Sequence, residues 1–162
     1  MEIITARRAD DPVLVRHYLA IWDSYGTPQE DYADDAASKV ASFIEETRAG
    51  EHHGGFLAVV DGEIAGSAIC CLLRSPYPEV IRRERRLRGY IWSVYTVSAH
   101  RGKGIGKALT RRAINHLQEV GCNSIVLHAS DAGAPMYNQL GFQPAGEMRL
   151  AVPALLRSPG DL

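Results

Sequence analysis

The sequence predicts a single α/β domain built around a strand–helix–strand crossover. A run rich in β-branched and aromatic residues at 90–97 leads through a glycine-rich turn into an amphipathic segment at 105–120, and a short apolar run follows at 124–129. The dipeptide Asp61-Gly62 separates two further apolar runs and favours a two-residue hairpin turn. Two strands joined by a helix are expected to be parallel, with a ligand crevice at their carboxyl ends.

Local signals place the elements of the N-terminal half. Asp10 or Asp11 before Pro12 marks a helix start. Gly50 ends a second helix, whose apolar residues recur at helical spacing. The predicted elements are a strand at 2–6, helices at 13–22 and 32–48 with a loop at 25–31 between them, and hairpin strands at 56–60 and 63–73.

The helix after the glycine-rich turn has the most regular apolar face of the chain. This stripe would pack against the sheet, and Gly121 would close the helix. The stripe consists of Ile105, Leu109, Ala113, Leu117 and Val120. Farther on, Pro135 suits the first turn of a short helix that Gly141 ends. A last strand is expected at 147–152, and no structure is assigned to 153–162.

Length and composition limit the class of protein. At 162 residues the chain has the size of one domain spanning 1–162. Its 18 basic and 19 acidic residues give a net charge of −1, which offers no general attraction for nucleic acid or an anionic membrane. The three cysteines are an odd count, which favours reduced thiols. No apolar stretch approaches the ~20 residues of a membrane span, and the acidic start does not resemble a signal peptide. We therefore expect a cytoplasmic protein.

The run 101–107 predicts an anion site. Glycine lets the backbone approach a phosphate, while the first amides of a helix lack intrahelical acceptors and lie at the positive end of its dipole. Two common glycine-rich motifs do not fit. A P-loop would need glycine at Arg101 and a hydroxyl residue at Ala108, and no register completes the G-x-G-x-x-G of dinucleotide-binding proteins. A phosphate-bearing cofactor of another class is predicted.

The spacing that does fit is Arg-x-x-Gly-x-Gly at 101–106, which resembles the acetyl-CoA pyrophosphate motif of the GCN5-related N-acetyltransferase (GNAT) superfamily. Downstream, a short helix that carries Tyr137 and ends at Leu140-Gly-Phe142 resembles the second signature of that family. The resemblance, to the small bacterial-type members, implies a mixed, mostly antiparallel central sheet with a parallel splayed pair at its centre and helices on both faces.

The same resemblance implies an activity, direct transfer of acetyl from acetyl-CoA to a primary amine of a small molecule or peptide. Peptide groups of Tyr95 and Thr96 would hold the pantetheine arm and the acetyl oxygen, and Tyr137 would donate a hydrogen bond to the departing sulfur. Because a phenol (pKa ~10) is a weaker acid than a thiol (~8.5), full proton transfer is uphill by about 2 kcal/mol and is expected late. The implied cofactor-binding residues are Tyr95, Thr96, Arg101, Gly102, Lys103, Gly104, Ile105, Gly106, Lys107 and Ser130.

The general base is not identified by the sequence. Many relatives carry a glutamate on the strand before the motif, but 89–96 contains no carboxylate. Ser93 and Tyr95 could order a water that takes the proton, and His128 on the following strand is another candidate. A base is unnecessary if the acceptor amine has a low pKa. The cysteines do not lie near the motifs in a way that suggests a nucleophile, and the histidines lack metal-ligand spacing, so no metal site is expected.

Other classes of function stay open beside this one. A non-catalytic CoA-binding or regulatory module would keep the pyrophosphate motif, and the missing strand carboxylate favours it while Tyr137 argues against it. The arginine-rich run at 82–88 is either a solvated loop or a wall of the acceptor mouth that favours an acidic acceptor. Nucleic-acid binding through this run is disfavoured by the near-zero net charge. The N-terminal helices could also form a homodimer surface.

Overall fold

The computed structural model describes residues 1–50, 52–74, 80–146, 148 and 150. Five strands and four α-helices lie along these residues, and four short 3-10 turns occur in the connections. They are β1 (Glu2–Thr5), α1 (Asp11–Ser24), α2 (Ala36–Gly50), β2 (Gly54–Val60), β3 (Glu63–Leu72), β4 (Arg88–Thr96), α3 (Ile105–Glu119), β5 (Ser124–Val126) and α4 (Ala134–Gln139). None of the helices in the described ranges has the length and apolar character needed to span a membrane.

The strands form one sheet in the order β1-β2-β3-β4-β5. Every neighbouring pair is antiparallel except β4 and β5, which are parallel and joined by α3. The predicted mixed, mostly antiparallel sheet with a parallel pair is therefore confirmed. Within the described residues this parallel pair lies at one edge of the sheet, because β5 is the last strand there.

Helices cover both faces of the sheet, as predicted. Alternate strand residues point to opposite faces, so each face has its own apolar cluster. On one face α3 packs against a cluster that includes Phe56, Ile91 and Leu109. On the other face α1 and α2 pack against a cluster that includes Leu57 and Trp92. The strands β2 and β3 are buried on both faces, which explains their near-continuous apolar runs.

Most element boundaries differ from those predicted by one or two residues, and two differ by more. The second helix begins at Ala36, since Tyr32 is extended (φ −77°, ψ 139°) and its hydroxyl donates to Asp23 at 2.8 Å. The fifth strand ends at Val126 because β4 is its pairing partner up to Tyr90 and no farther. The strand predicted at 147–152 lies outside the described residues, apart from 148 and 150, which are not in a strand.

Candidate active site

A cleft opens where β4 leaves β5. The two strands pair at three positions, the last of which is Tyr90 with Val126. Among the described strands, β4 then continues to Thr96 beside β3 alone. The Val97 N–H donates to Ala65 O at 2.9 Å. Since the peptide groups of successive residues in a strand point to opposite sides, those of Thr96 point away from β3 and into the cleft. Main-chain donors and acceptors are thus available along this part of β4.

The glycine-rich turn follows at the end of this cleft. Gly102 (φ 76°) and Gly104 (φ 79°) are left-handed, and no described heavy atom lies within 4 Å of the position that a Cβ would take at either residue. Gly104 is the N-cap of α3, and no described side chain caps this helix end. The first amides of α3 are therefore presented to open space at the positive end of the helix dipole. This cradle fits a pyrophosphate.

Three basic side chains lie at the turn, and they differ in exposure and in hydrogen-bond partner. Arg101 and Lys103 are exposed, and Arg101 Nε donates to Thr96 O at 3.4 Å. Lys107 Nζ instead donates to Gln139 Oε1 at 2.9 Å, which ties the start of α3 to the end of α4. All three side chains carry positive charge that a phosphate could use, and those of Arg101 and Lys103 are more exposed than that of Lys107.

The second motif packs directly on the first. A Cβ at Gly106 would lie 3.3 Å from Met136 Sδ on α4 and 3.7 Å from Thr96 Oγ1 on β4, so glycine permits this close approach. Tyr137 follows on α4, is 9 % exposed and packs edge-on against Phe142 with ring centroids 5.9 Å apart. Burial, with Tyr25 nearby, raises the pKa of Tyr137 to about 12. Its hydroxyl therefore keeps its proton at neutral pH.

Ser130 has a local role in the turn before α4. Its hydroxyl oxygen accepts a hydrogen bond from the Gly133 N–H at 3.2 Å, and its carbonyl accepts from the Gly133 and Ala134 amides. These contacts set the path of the chain into α4 and so the placement of Tyr137. The predicted contact of Ser130 with a cofactor stays a prediction.

A bulge distorts β4 within the cleft region. Ser67 pairs with Tyr95 and Ile69 pairs with Trp92, so Ser93 and Val94 together oppose one residue of β3. Ser93 has a positive φ of 53° and is 8 % exposed, and its buried hydroxyl has no hydrogen-bond partner among the described residues. A non-glycine residue in this region is strained, and such strain is concentrated at functional sites.

Two polar side chains meet where the parallel strands part. The Tyr90 hydroxyl and His128 Nδ1 are 2.8 Å apart, and His128 is exposed. His128 was a candidate base from the sequence, whereas its pairing with Tyr90 was missed. The pairing follows from the register of Tyr90 with Val126, which no sequence signal specifies.

A second histidine approaches the cleft from α1. His17 is 9 % exposed, its Nδ1 lies 2.8 Å from Ser67 Oγ, and its ring centroid is 4.7 Å from that of Tyr95. Burial, with Arg16 nearby, lowers the pKa of His17 to about 4. Sequence reasoning gave this residue no role. Its spacing of three from the buried Leu14 on α1 was the signal that could have placed it inward.

A family model described as the acetyltransferase (GNAT) family matches residues 15–142. The chain belongs to this family. The predicted family resemblance is thereby confirmed, and the match includes both motifs that carried it. The cleft of this GNAT protein brings together Thr96, the glycine-rich turn and Tyr137, as the motifs implied, but the individual roles of these residues are still predictions.

Curated relatives support the assignment over part of their length. The N-alpha-acetyltransferase MAK3 of Arabidopsis thaliana is 33% identical over 90 residues, which are 54% of this chain and 43% of that protein. The glucosamine 6-phosphate N-acetyltransferase of Trypanosoma brucei brucei is 33% identical over 82 residues, 51% of this chain and 52% of that protein. The chain thus spans about half the length of these relatives.

Solved structures match over nearly the whole chain. A GCN5-related N-acetyltransferase from Ralstonia eutropha JMP134 has a TM-score of 0.79 at 25% identity and covers 93% of this chain and 97% of its own. An acetyltransferase with acetyl-CoA from Clostridium acetobutylicum has a TM-score of 0.79 at 22% identity and covers 93% and 95% of the two chains. The second comparison supports the fold alone.

Proposed function

We propose that this GNAT protein is an acetyl-CoA-dependent N-acetyltransferase that transfers acetyl directly to a primary amine of a small molecule or peptide. The observation that carries the proposal is the cleft between β4 and β5, which is bordered by the uncapped start of α3 with its two open glycines and by the buried residue Tyr137 on α4. Bound acetyl-CoA would supply the thioester.

The glycine-rich turn would hold the pyrophosphate. Amides of residues 102–107 donate to its oxygens, and the exposed Arg101 and Lys103 add positive charge. The peptide groups of Thr96, which point into the cleft, would then run beside the pantetheine arm, whereas those of Tyr95 point toward β3. The Thr96 amide would polarise the acetyl carbonyl, a contribution of about 3 kcal/mol for one well-placed donor.

Tyr137 would stabilise the departing thiolate by donating a hydrogen bond. Burial raises the pKa of Tyr137 to about 12, so its proton is harder to transfer to a thiolate of pKa ~8.5 than that of a solvated phenol. Tyr137 therefore acts through hydrogen bonding during C–S cleavage, and the thiolate takes its proton late.

His128 is the best-supported acceptor for the proton of the attacking amine. It lies at the point where β4 and β5 part, is exposed, and is held by the Tyr90 hydroxyl at 2.8 Å. An exposed imidazole can pass a proton on to solvent. A water ordered by Ser93 and Tyr95 is the alternative, supported by the unpartnered hydroxyl of Ser93.

The acceptor would enter from the face that carries α1 and α2. Tyr25, at the end of α1, is 57% exposed and close enough to Tyr137 to affect its pKa. Relatives named N-alpha-acetyltransferase and glucosamine 6-phosphate N-acetyltransferase are compatible with either a peptide or a small-molecule amine.

A non-catalytic CoA-binding module is the competing function, and it is favoured by the absence of a carboxylate from β4. Two measurements separate the possibilities. Calorimetry with CoA tests the cofactor site, and release of free thiol from acetyl-CoA with a panel of primary amines tests transfer. We expect heat of binding and amine-dependent thiol release. Binding without release would favour the module, and no heat with CoA would refute both.

A further inference from the structure

A polar pair is buried between α1 and the sheet at the level of the cleft. His17 lies on the apolar face of α1, and its Nδ1 is 2.8 Å from Oγ of Ser67, which is fully buried on β3. The surrounding cluster is apolar and includes Leu14, Leu57 and Ile69. Burying two polar groups in such surroundings costs free energy unless they bind each other, and apolar side chains would serve packing at least as well.

The pair is attached to the part of β4 that borders the cleft. Ser67 is the register partner of Tyr95, and the His17 ring packs on the Tyr95 ring at a centroid distance of 4.7 Å. The next residue, Thr96, presents its peptide groups to the cleft. This stretch of β4 follows the strained Ser93 and no longer pairs with β5. Its position therefore depends on contacts with β3 and with the helices α1 and α3.

We propose that His17 is a positioning residue for acetyl transfer, which fixes the peptide groups of Tyr95 and Thr96 through its bond to Ser67 and its packing on the Tyr95 ring. The inference rests on the proposed function. A neutral imidazole suits this role, because it places no positive charge beside an incoming ammonium group. Burial, which lowers the pKa of His17 to about 4, keeps it neutral at physiological pH.

The chain contains a matched control for this pair. His53 Nδ1 lies 2.9 Å from Thr47 Oγ1, Thr47 is 3% exposed, and burial with Arg48 nearby lowers the pKa of His53 to about 4. This second pair thus has the same chemistry. It precedes Gly54 at the start of β2, whereas Ser67 pairs with Tyr95 near the end of β4. Loss of either pair should affect folding, but loss of His17 alone should affect transfer.

The test compares His17→Leu with His53→Leu in the full-length protein. Unfolding midpoints, kcat and the KM for acetyl-CoA are measured with the best amine of the panel. We expect both variants to lose stability. We expect His17→Leu alone to lower kcat by about tenfold or more, with KM for acetyl-CoA little changed, since small misplacement of reacting groups costs rate. Ser67→Ala, a smaller change, should lower kcat in the same direction and serves if His17→Leu does not fold.

Two conservative variants identify the atom that matters. The amide nitrogen of asparagine lies close to the position of Nδ1 and can still bind Ser67, whereas that of glutamine lies close to Nε2. We expect His17→Asn to recover most of the wild-type kcat and His17→Gln to stay low. Recovery by glutamine instead, or equal kcat in His17→Leu and His53→Leu, overturns the inference while leaving the proposed function intact. A wild-type protein that binds CoA without transferring acetyl overturns the proposed function and this inference with it.

Discussion

Glycine serves opposite purposes at the two ends of the sheet. At the end where β2 and β4 begin, a Cβ on Gly54 would lie 2.7 Å from His116 Cδ2, and one on Gly89 would lie 2.6 Å from Leu117 Cδ1. At the end where β4 finishes, Gly102 and Gly104 have no described heavy atom within 4 Å of that position. One end is closed by the side chains of the protein, and the other, where we propose that the cofactor binds, is open.

Replacing Tyr137 with Phe should give the largest effect and should affect the open end alone. Loss of the hydrogen bond to the thiolate is expected to lower kcat by about a hundredfold, the lower range for removal of one donor to a developing negative charge. The KM for acetyl-CoA and the unfolding midpoint should change little.

The matched control is Tyr18→Phe, at a tyrosine on α1 that packs against Trp92 with ring centroids 5.7 Å apart. It should leave turnover unchanged. If Tyr137→Phe turns over at the wild-type rate, Tyr137 has no role in the departure of the thiolate.

Replacing glycine with alanine should have different effects at the two ends of the sheet. Gly89→Ala inserts a Cβ against three atoms of Leu117 at 2.6–3.0 Å and should lower the free energy of unfolding by about 1–3 kcal/mol, with CoA affinity unchanged. Gly104→Ala meets no neighbour but enters the cradle at a positive φ of 79°.

For Gly104→Ala we expect about tenfold weaker CoA binding, near the value of one hydrogen bond to a charged group. Its cost in stability should be about 1 kcal/mol from backbone strain. Denaturant unfolding and calorimetry are run on both variants. A loss of CoA affinity in Gly89→Ala equal to that in Gly104→Ala would remove the distinction between the two ends.

Lowering the pH should reduce the free energy of unfolding through one histidine near each end of the sheet. The pKa values of His17 and His53 are lowered to about 4, against ~6.5 in an unfolded chain. Between these values the unfolded state binds protons that the folded state does not, so the free energy of unfolding falls as the pH drops from about 6.5 towards 4. Above pH 6.5 neither group contributes a pH dependence.

Urea unfolding at pH 7.5 and pH 5 measures this loss. His17→Leu and His53→Leu should each reduce it to a similar extent, although only the first should alter transfer. If both variants keep the full pH dependence, neither histidine is responsible for it.

The arginine-rich run at 82–88 gives the smallest expected effect. It leads directly into Arg88 at the start of β4, and so belongs to the closed end of the sheet. If it lines the acceptor mouth, Arg85→Gln with Arg86→Gln should raise the KM for an acidic acceptor by less than about fivefold, the range of an exposed charge.

The KM for acetyl-CoA should stay the same in this variant. Arg7→Gln with Arg111→Gln removes the same charge from exposed positions elsewhere and is the control. An unchanged acceptor KM would identify the run as a solvated loop.

The sequence was sufficient to predict the structural features that depend on local backbone preference and helical period. The glycine-rich turn, the stripe of α3 and the short helix before Gly141 all follow from backbone preference or helical period, and the structure has them at the predicted places. Features that depend on distant pairing were not predictable. Ser93 has no local reason for a positive φ, since it is the bulge against β3 that imposes it. The His17–Ser67 contact joins residues 50 positions apart.

The short pairing of β5 has a further consequence. The wall of the cleft that carries Tyr137 follows a strand of three residues, whereas the opposite wall belongs to the nine-residue strand β4, which is also paired with β3. Few main-chain hydrogen bonds join the two walls, so we expect their separation to cost less free energy than opening of the longer β3–β4 pairing. A cofactor held by both walls would act as a cross-link between them. Its binding would raise the free energy needed to separate the walls.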